Sequence, residues 1–404
     1  MRPDDIAVIA AARSPFGKFG GSLRDFTIPD LGGLVFAEAL RRSGIPAEAV
    51  DEVAVGVNLP GADRSLARQI LIRAGIPPER VAYTVDRACC SSLAAITLAS
   101  RSLRLGDATI ALAGGSENVS RVPYFLTQQR WGHPLGDITL TDQLVISCPM
   151  TGKPRAVQAS DEADTYGVTR QEQDAWAVRS HQNYTSAQAR GAFDEELFPI
   201  EVSDGKRGTR LFSADESVRP DTTLEKLASL PTIYGSSTVT AGNAPGLSTG
   251  ASSMVLTSVA EAERRGAAPL ATLHGWSMAS GHPDRIASIP AEALRLALAK
   301  SGLAVADLDI IEINEAFAAV PLVTTLVLAE GNHDAAEALR SRVNVNGGAI
   351  AIGHPTGATA ARLVMTAMFE LRRRYAGDPS RPYYAGVTLC GGIGEAEAVI
   401  VRVG

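Results

Sequence analysis

The chain has few cysteines, no long apolar run and no excess of positive charge. Its 404 residues include four cysteines, two of them adjacent at Cys89 and Cys90, which is too few and too poorly spaced for a disulfide framework. We therefore expect a reducing compartment, with the cytoplasm as the location. No apolar run approaches the roughly 20 residues of a membrane span, and the N-terminus enters a strand-like run without the features of a secretory signal.

Composition and net charge further restrict the class of protein and its possible partners. The formal net charge is -6, which gives no general attraction to nucleic acid. A chain with 45% hydrophobic and 20% charged residues is ordinary globular material, long enough for two or three domains with cores of their own. We expect neither a nucleic-acid partner nor a membrane partner.

The stretch 84–95, TVDRACCSSLAA, places a thiol where an extended segment turns into a helix. The residues before it favour a strand, and those from Leu93 onward suit a buried helix. Free backbone N–H groups and the positive end of the helix dipole would favour the thiolate of Cys89, which makes it the candidate nucleophile. A cysteine in such a position is more often only a small buried side chain, so the interpretation depends on residues elsewhere in the chain.

The first half of the chain alternates predicted strands and helices, which implies a sheet covered by helices on both faces. The predicted elements are, in order, a strand over Ile6–Ala12, a helix from about Leu31, a strand over Glu52–Leu59, the helix after Cys89 and a strand from Ala108 that ends at Gly114 and Gly115. In the first of these helices, Asp30 is the expected N-cap and Gly44 the stop signal.

The same order returns in the second half at a fixed offset. The pairs Ser43-Gly44 and Ser301-Gly302 are separated by 301 minus 43, or 258, residues. The further positions that agree at this offset are Ala39 with Ala297, Leu40 with Leu298, Asp51 with Asp309, Val53 with Ile311 and Val55 with Ile313. Carried forward, the offset places Cys89 on Gly347, in another stretch that leads into a helix. We infer two similarly folded halves with chemistry at their junction.

A polar segment without a repeat partner separates the halves. We interpret residues 120–240 as an inserted loop domain that lies over the cleft as a lid. The predicted domains are therefore an N-terminal half over 1–119 plus 241–268, the insertion over 120–240, and a C-terminal half over 269–404.

Three further stretches carry candidate chemistry, although each is a weak signal by itself. The first places a carboxamide and a carboxylate after an apolar strand, the second places a histidine after a glycine-rich loop, and the third ends a strand with a cysteine before glycines that let a backbone N–H approach a substrate. They are INEAFAA with Asn314 and Glu315, GHPTGAT with His354, and TLCGGIGEAEAVI with Cys390 and Gly392.

Together these motifs resemble the thiolase family along essentially the whole chain, from AARSPFGKFGGSL through TVDRACCSS, AGGSENVSRVPY, TVTAGNA, NEAFA and NVNGGAIAIGHPTGA to the terminal Cys-Gly-Gly. The resemblance implies an α/β fold of two pseudo-repeated βαβαβαββ halves in a five-layer α-β-α-β-α core, with an inserted lid. It also implies that Cys89 is acylated, that His354 activates it and that Cys390 transfers a proton. Asn314, through a bound water, and His354 would form one oxyanion hole, and the main-chain N–H groups of Cys89 and Gly392 the other.

The activity implied by the resemblance is that of an acyl-CoA C-acyltransferase, which cleaves 3-oxoacyl-CoA or condenses acyl-CoA units by a ping-pong mechanism. Coenzyme A enters as a substrate, and the resemblance implies neither a permanently bound cofactor nor a metal. Family members assemble as dimers or tetramers, so a homodimer or homotetramer is expected. The residues expected to contact coenzyme A are Arg219, Ala244, Pro245, Ser248 and Phe317.

The chain departs from the family pattern mainly where the substrate binds. Arg155, Ala156 and Val157 stand where the family often has His-Met-Gly in the lid, and Pro245 removes a hydroxyl and a backbone N–H from the pantetheine motif. Two alternatives stay open: a specialised condensing enzyme that accepts a carrier-bound or unusual acyl group, and a catalytically silent acyl-CoA binding protein. Hydrolysis by a cysteine–histidine pair is disfavoured because it has no role for a second cysteine.

Overall fold

The computed structural model of the chain describes residues 5–127, 129–145 and 147–404. Its strands are β1 Ile6–Arg13, β2 Gly17–Lys18, β3 Glu52–Gly56, β4 Val81–Val85, β5 Ala111–Asn118, β6 Tyr124–Phe125, β7 Thr141–Asp142, β8 Ile200–Ser203, β9 Thr209–Phe212, β10 Ser248–Ser258, β11 Ala271–Ser280, β12 Ile310–Ile313, β13 Tyr383–Cys390 and β14 Glu395–Val403. Its α-helices are α1 Ile28–Ser43, α2 Leu66–Arg73, α3 Ser91–Leu105, α4 Arg155–Thr165, α5 Arg170–Ala189, α6 Leu224–Ala228, α7 Val259–Arg264, α8 Ile289–Ser301, α9 Ala319–Leu328, α10 His333–Arg340, α11 Ala349–Ile352 and α12 Thr356–Gly377.

Helix α1 illustrates how local sequence sets an element's ends. Thr27 is the N-cap, and its hydroxyl accepts a hydrogen bond from the backbone N–H of Asp30. The prediction that Asp30 itself is the cap was wrong, because Asp30 already lies in the first turn. Gly44 ends the helix in the left-handed conformation with φ +68°, as predicted, since a glycine adopts it without steric cost.

Ten of the fourteen strands of the described residues form one mixed sheet in two halves of equivalent order. The first half runs β4-β3-β5-β10-β1 and the second β12-β13-β14-β11, and the short β2 pairs with β10. In the first half β3 is parallel to both neighbours, whereas β10 is antiparallel to β5 and β1. The halves join where β1 pairs with β11 through three residues, Ile6 to Val8.

Five layers result from this arrangement, and the α/β fold with a five-layer core is confirmed. Helices α1 and α2 cover the outer face of the first half-sheet, and α8 and α9 cover the outer face of the second. The middle layer is formed by α3 and α12, which pack on each other and on both half-sheets. The largest buried apolar cluster therefore surrounds the two helices that follow Cys89 and His354.

The two halves match the predicted βαβαβαββ order with one difference. In the first half the order is β1, α1, β3, α2, β4, α3, β5 and β10. In the second half, the position of the third strand holds only a single β-bridge, in which Val343 pairs with Ile311. The offset of 258 relates α1 to α8 and β3 to β12, whereas the other elements follow different offsets because the connections between them differ in length.

The fifth strand differs from the sequence prediction in a way that matters for the site. Gly114 and Gly115 do not end it but lie in its middle, fully within β5. A side chain at Gly115 would overlap the carbonyl oxygen of Gly357 in the first turn of α12. These two glycines therefore mark positions of close packing within the strand and not a turn.

The insertion between β5 and β10 contains α4, α5, α6 and two small hairpins, β6-β7 and β8-β9. The domain boundaries at 120, 240 and 268 stay a prediction. Among the helices of the described residues, each is too short or too polar to be a transmembrane segment.

Gly115→Ala should destabilise the protein because its new methyl group meets backbone that cannot move aside without shifting α12. Overpacking of a core typically costs about 1–3 kcal/mol, and we expect the upper end of that range together with reduced activity. Differential scanning calorimetry and a thiol-reactivity assay at Cys89 measure the two effects.

The matched control is Gly377→Ala, at the opposite end of α12, where a Cβ meets no atom within 4 Å. It should alter stability by no more than about 0.5 kcal/mol. Equal stabilities of the two variants would contradict the packing argument.

Candidate active site

Cys89 lies in a strained turn that leads into α3. The turn is a single 3-10 segment, Ala88–Cys90, and Ala88 has a positive φ of 47°, which a residue with a side chain adopts only under constraint. Ser91 supplies that constraint: its hydroxyl accepts from the backbone N–H of Arg87 at 2.9 Å and donates to the carbonyl oxygen of Ala88 at 2.6 Å. The turn presents the Cys89 thiol to the cavity and turns that of Cys90 into the core.

His354 faces Cys89 from the loop before α12. Its Nε2 lies 3.1 Å from Cys89 Sγ, and its Nδ1 lies 2.7 Å from Thr359 Oγ1. Because the Thr359 hydroxyl donates its one proton to the carbonyl oxygen of Pro355, Oγ1 accepts from Nδ1–H. The tautomer is thereby fixed, and the unprotonated Nε2 is the atom that can take the proton of the Cys89 thiol.

Burial keeps both members of this pair neutral at rest. Burial raises the pKa of Cys89 well above its ordinary range, and the neighbouring Cys390 adds to the effect. Burial also lowers the pKa of His354 to about 3, with Arg362 contributing. Both pKa shifts oppose the predicted preference for a resting thiolate at the helix start, because burial disfavours the charged form of each group.

Asn314 follows β12 and joins the pair. It is fully buried, and its Nδ2 lies 3.3 Å from His354 Nε2, on the side where the ring has no proton. Its Oδ1 has no hydrogen-bond partner among the described residues. A buried carboxamide that places Nδ2 on the histidine and leaves Oδ1 unpaired can hold a water molecule that donates to Oδ1.

Cys390 ends β13 beside the pair. Burial raises its pKa to about 11, although a hydrogen bond from the backbone N–H of Gly392 acts in the opposite direction. Gly392 has a φ of +82°, so the bend that aims its N–H at the site favours glycine.

These residues line one cavity of about 580 Å³. Cys89, His354, Cys390, Gly392 and Phe317 all contribute to its wall. The insertion contributes as well, as expected of a lid, and its lining residues are Gln143, Leu144, Ser147, Pro149 and Arg155.

The other residues expected to contact coenzyme A lie outside the wall of this cavity. Arg219 is exposed, with its backbone N–H donating to Nδ1 of the buried His181 at 3.2 Å. Ala244 and Pro245 are half-buried. Ser248 is fully buried, and its hydroxyl donates to the carbonyl oxygen of Gly246 at 2.7 Å. These contacts to coenzyme A stay predictions.

Two buried carboxylates hold together the segments around the cavity but are not part of its lining. Glu315 was expected in the cleft, but it accepts hydrogen bonds from Trp176 Nε1, Ser180 Oγ, Asn344 Nδ2 and the backbone N–H of Ile350, and so joins the insertion to the C-terminal half. Glu117 was not singled out from sequence. It accepts from the backbone N–H groups of Asn58, Leu59 and Gly357 and from the Thr356 hydroxyl.

Comparison with known proteins agrees with this architecture. The family models "Thiolase, N-terminal domain" and "Thiolase, C-terminal domain" match residues 6–260 and 267–403. The chain is 39% identical to the acetyl-CoA acetyltransferase of Syntrophomonas wolfei, over 98% of this chain and 99% of the relative. It is also similar to the crystal structure of human mitochondrial 3-ketoacyl-CoA thiolase, with a TM-score of 0.92, 36% identity and 99% of each chain covered. A structure of the human protein in complex with CoA has a TM-score of 0.90, 35% identity, and coverage of 100% of this chain and 99% of that chain. The chain belongs to the thiolase family.

Proposed function

We propose that the protein is an acyl-CoA C-acyltransferase that cleaves 3-oxoacyl-CoA with coenzyme A and, in reverse, condenses two acyl-CoA units. The observation that carries the proposal is the 3.1 Å contact between Cys89 Sγ and His354 Nε2, in a cavity whose wall also holds the second thiol, Cys390. A nucleophile, its base and a separate proton carrier are the three groups that a Claisen-type exchange requires.

In the cleavage direction, Cys89 Sγ attacks the 3-oxo carbon and its proton moves to His354 Nε2. The oxyanion formed there accepts hydrogen bonds from the N–H groups of Cys89 and Gly392, and donors of this kind are typically worth about 3–4 kcal/mol of barrier each. When the bond between C2 and C3 breaks, its electron pair passes to C2 and the thioester oxygen, which faces the protonated His354 and Asn314.

Cys390 then donates its proton to C2, and acetyl-CoA leaves while the shortened acyl chain stays on Cys89. The raised pKa of Cys390 suits this step because the thiol is protonated at rest and can act as an acid. Coenzyme A next attacks the acyl-Cys89 thioester, its thiol proton passes to the Cys390 thiolate, and His354 returns the first proton to Cys89. The resting state is restored with no net gain or loss of protons.

Three further properties belong to the proposal. Coenzyme A is a substrate, and the complex of the human relative with CoA supports a coenzyme A site in this fold. A homodimer or homotetramer is proposed from the resemblance to the family. A cytoplasmic location is proposed because all four cysteines are free.

Cys89→Ala should abolish acyl transfer, because among the described residues Cys89 is the thiol within hydrogen-bond distance of His354. Cys90→Ala should retain much of the activity, since its thiol is fully buried, with Sγ 3.6 Å from the carbonyl oxygen of Leu389, and its loss costs about 1 kcal/mol of stability. Mass spectrometry after mixing with acetoacetyl-CoA locates the acyl group. An adduct on Cys90, or none from any acyl thioester in the wild type, would refute the assignment.

Thr359→Val should lower kcat/KM by about 10- to 100-fold, because the buried Nδ1–H of His354 loses its acceptor and the tautomer is no longer fixed. Thr359→Ser keeps the hydroxyl and should retain most of the activity. Thiolysis kinetics on both variants, with calorimetry to compare their stability, separate a positioning role from a structural one. Similar rates for Val and Ser would show that the hydroxyl has no part in orienting the ring.

Alkylation of Cys89 by iodoacetamide should rise by about tenfold per pH unit from about pH 6 to about pH 9, since only the thiolate reacts. The raised pKa of Cys89 and the lowered pKa of His354 keep both groups neutral over this whole range. The rate is followed on the peptide that carries Cys89. A rate that is already constant below pH 8 would instead indicate a resting thiolate–imidazolium pair.

A further inference from the structure

Arg155 places a positive charge beside the reacting thiols. It is the first residue of α4 and lines the same cavity as Cys89 and Cys390. Its Nε and Cζ lie 3.7 Å and 3.9 Å from the point that a Cβ of Gly392 would occupy. Its charge acts to lower the pKa of both thiols, which places it within electrostatic reach of the reaction.

A neutral side chain holds this guanidinium in place. Arg155 Nη1 donates to Gln158 Oε1 at 2.8 Å. Gln158 is fully buried, and its Nε2 donates to Asp284 Oδ1 at 2.8 Å and to the carbonyl oxygen of Pro283 at 3.2 Å. With the amide nitrogen engaged there, its oxygen faces Arg155. The arginine is thus oriented by a residue that does not neutralise it.

The carboxylates of the surrounding walls are bound to other groups. Among the residues that the structure describes, none has a carboxylate oxygen within 4.0 Å of Arg155, which is the distance of an ion pair. Their partners are the backbone N–H groups of Ile286, Ala287 and Ser288 for Glu162, Lys153 for Asp161 and Asp284, and Arg87 for Glu395.

The remaining partner of Arg155 is the thiol of Cys148, in the loop before α4. Burial raises the pKa of this thiol, but the Thr151 hydroxyl, the backbone N–H groups of Met150 and Thr151, and Arg155 together lower it to about 7. At neutral pH the thiol is therefore ionised only in part. The guanidinium of Arg155, which carries five N–H donors, lies in the cavity wall with a neutral amide and a partly ionised thiol as its partners among the described residues.

We propose that Arg155 binds a carboxylate at the far end of the substrate's acyl chain, so that the enzyme takes 3-oxoacyl-CoA thioesters of dicarboxylic acids. A planar guanidinium that is already oriented and partly desolvated matches a carboxylate through two parallel hydrogen bonds. Because Arg155 lies beside the thiols that handle the acyl group, the anion belongs to the acyl part of the substrate and not to the phosphates of coenzyme A. This inference rests on the proposed acyltransferase function and adds a substrate class to it.

The test compares two substrates of equal length in thiolysis: 3-oxohexanoyl-CoA and its analogue that ends in a carboxylate, with a second pair two carbons longer. The wild type should prefer the carboxylate form of at least one pair by about 10- to 100-fold in kcat/KM, the range expected of hydrogen bonds between charged groups. The inference is overturned if, in both pairs, the wild type cleaves the methyl-terminated substrate at least as fast as the carboxylate analogue of the same length.

Arg155→Met should remove this preference by slowing the carboxylate substrate about 10- to 100-fold more than the methyl-terminated one, and calorimetry checks that the variant is folded. Arg155→Lys keeps the charge without the planar donor pair and should retain part of the preference. Lys153→Met is the matched control, because it removes a charge two residues away that is paired with Asp161 and does not line the cavity. Its preference should equal that of the wild type.

Each failure points to a different cause. If Arg155→Met slows both substrates equally, the arginine acts on the thiols or on the fold, and the substrate assignment is wrong. If Lys153→Met reduces the preference as much as Arg155→Met does, the effect is one of general charge, and the inference again fails. The absence of acyl-Cys89 with every thioester would instead refute the proposed function itself.

Discussion

The structure depends on the close backbone contact between the two central helices and the ends of the first half-sheet. Gly56 meets the backbone at Ser91, Gly115 meets the carbonyl oxygen of Gly357, and Gly357 meets that of Gly56. A side chain at any of these glycines would separate a helix start from the sheet. Because α3 carries the turn of Cys89 and α12 follows His354, this contact fixes the distance between the two reacting atoms.

Burial explains the direction of the pKa shifts of the catalytic groups. Burial disfavours charge on Cys89, His354 and Cys390, so the resting site holds two thiols and one neutral ring. Charge arises only as a proton moves between neighbours, where hydrogen-bond donors are already in place to receive it. Arg155, by contrast, is a charged group in the cavity wall, and we therefore assign it a role in binding the substrate.

Buried carboxylates hold the insertion rigidly against both halves. Glu315 ties α5 to the C-terminal half, and Arg13 in β1 pairs with Glu196 at 2.7 Å and with Asp215 at 2.8 Å at the other end. Tyr184 of α5 donates to the same Asp215. Removing one member of such a buried network leaves an uncompensated charge, which is strongly destabilising.

The sequence by itself determined the repeated halves, the helix start at Cys89 and the identity of its partners, because apolar periodicity, glycine stops and recognisable motifs are local properties. It did not determine that Gly115 lies inside a strand, that Glu315 faces away from the cleft, or that no described carboxylate pairs with Arg155. Each of these depends on which distant backbone or side chain comes within contact distance. The nucleophile could therefore be inferred from motifs spread along the chain, whereas the direction of its pKa shift and the charge beside it were decided by tertiary packing, which removes water from some groups and supplies partners to others.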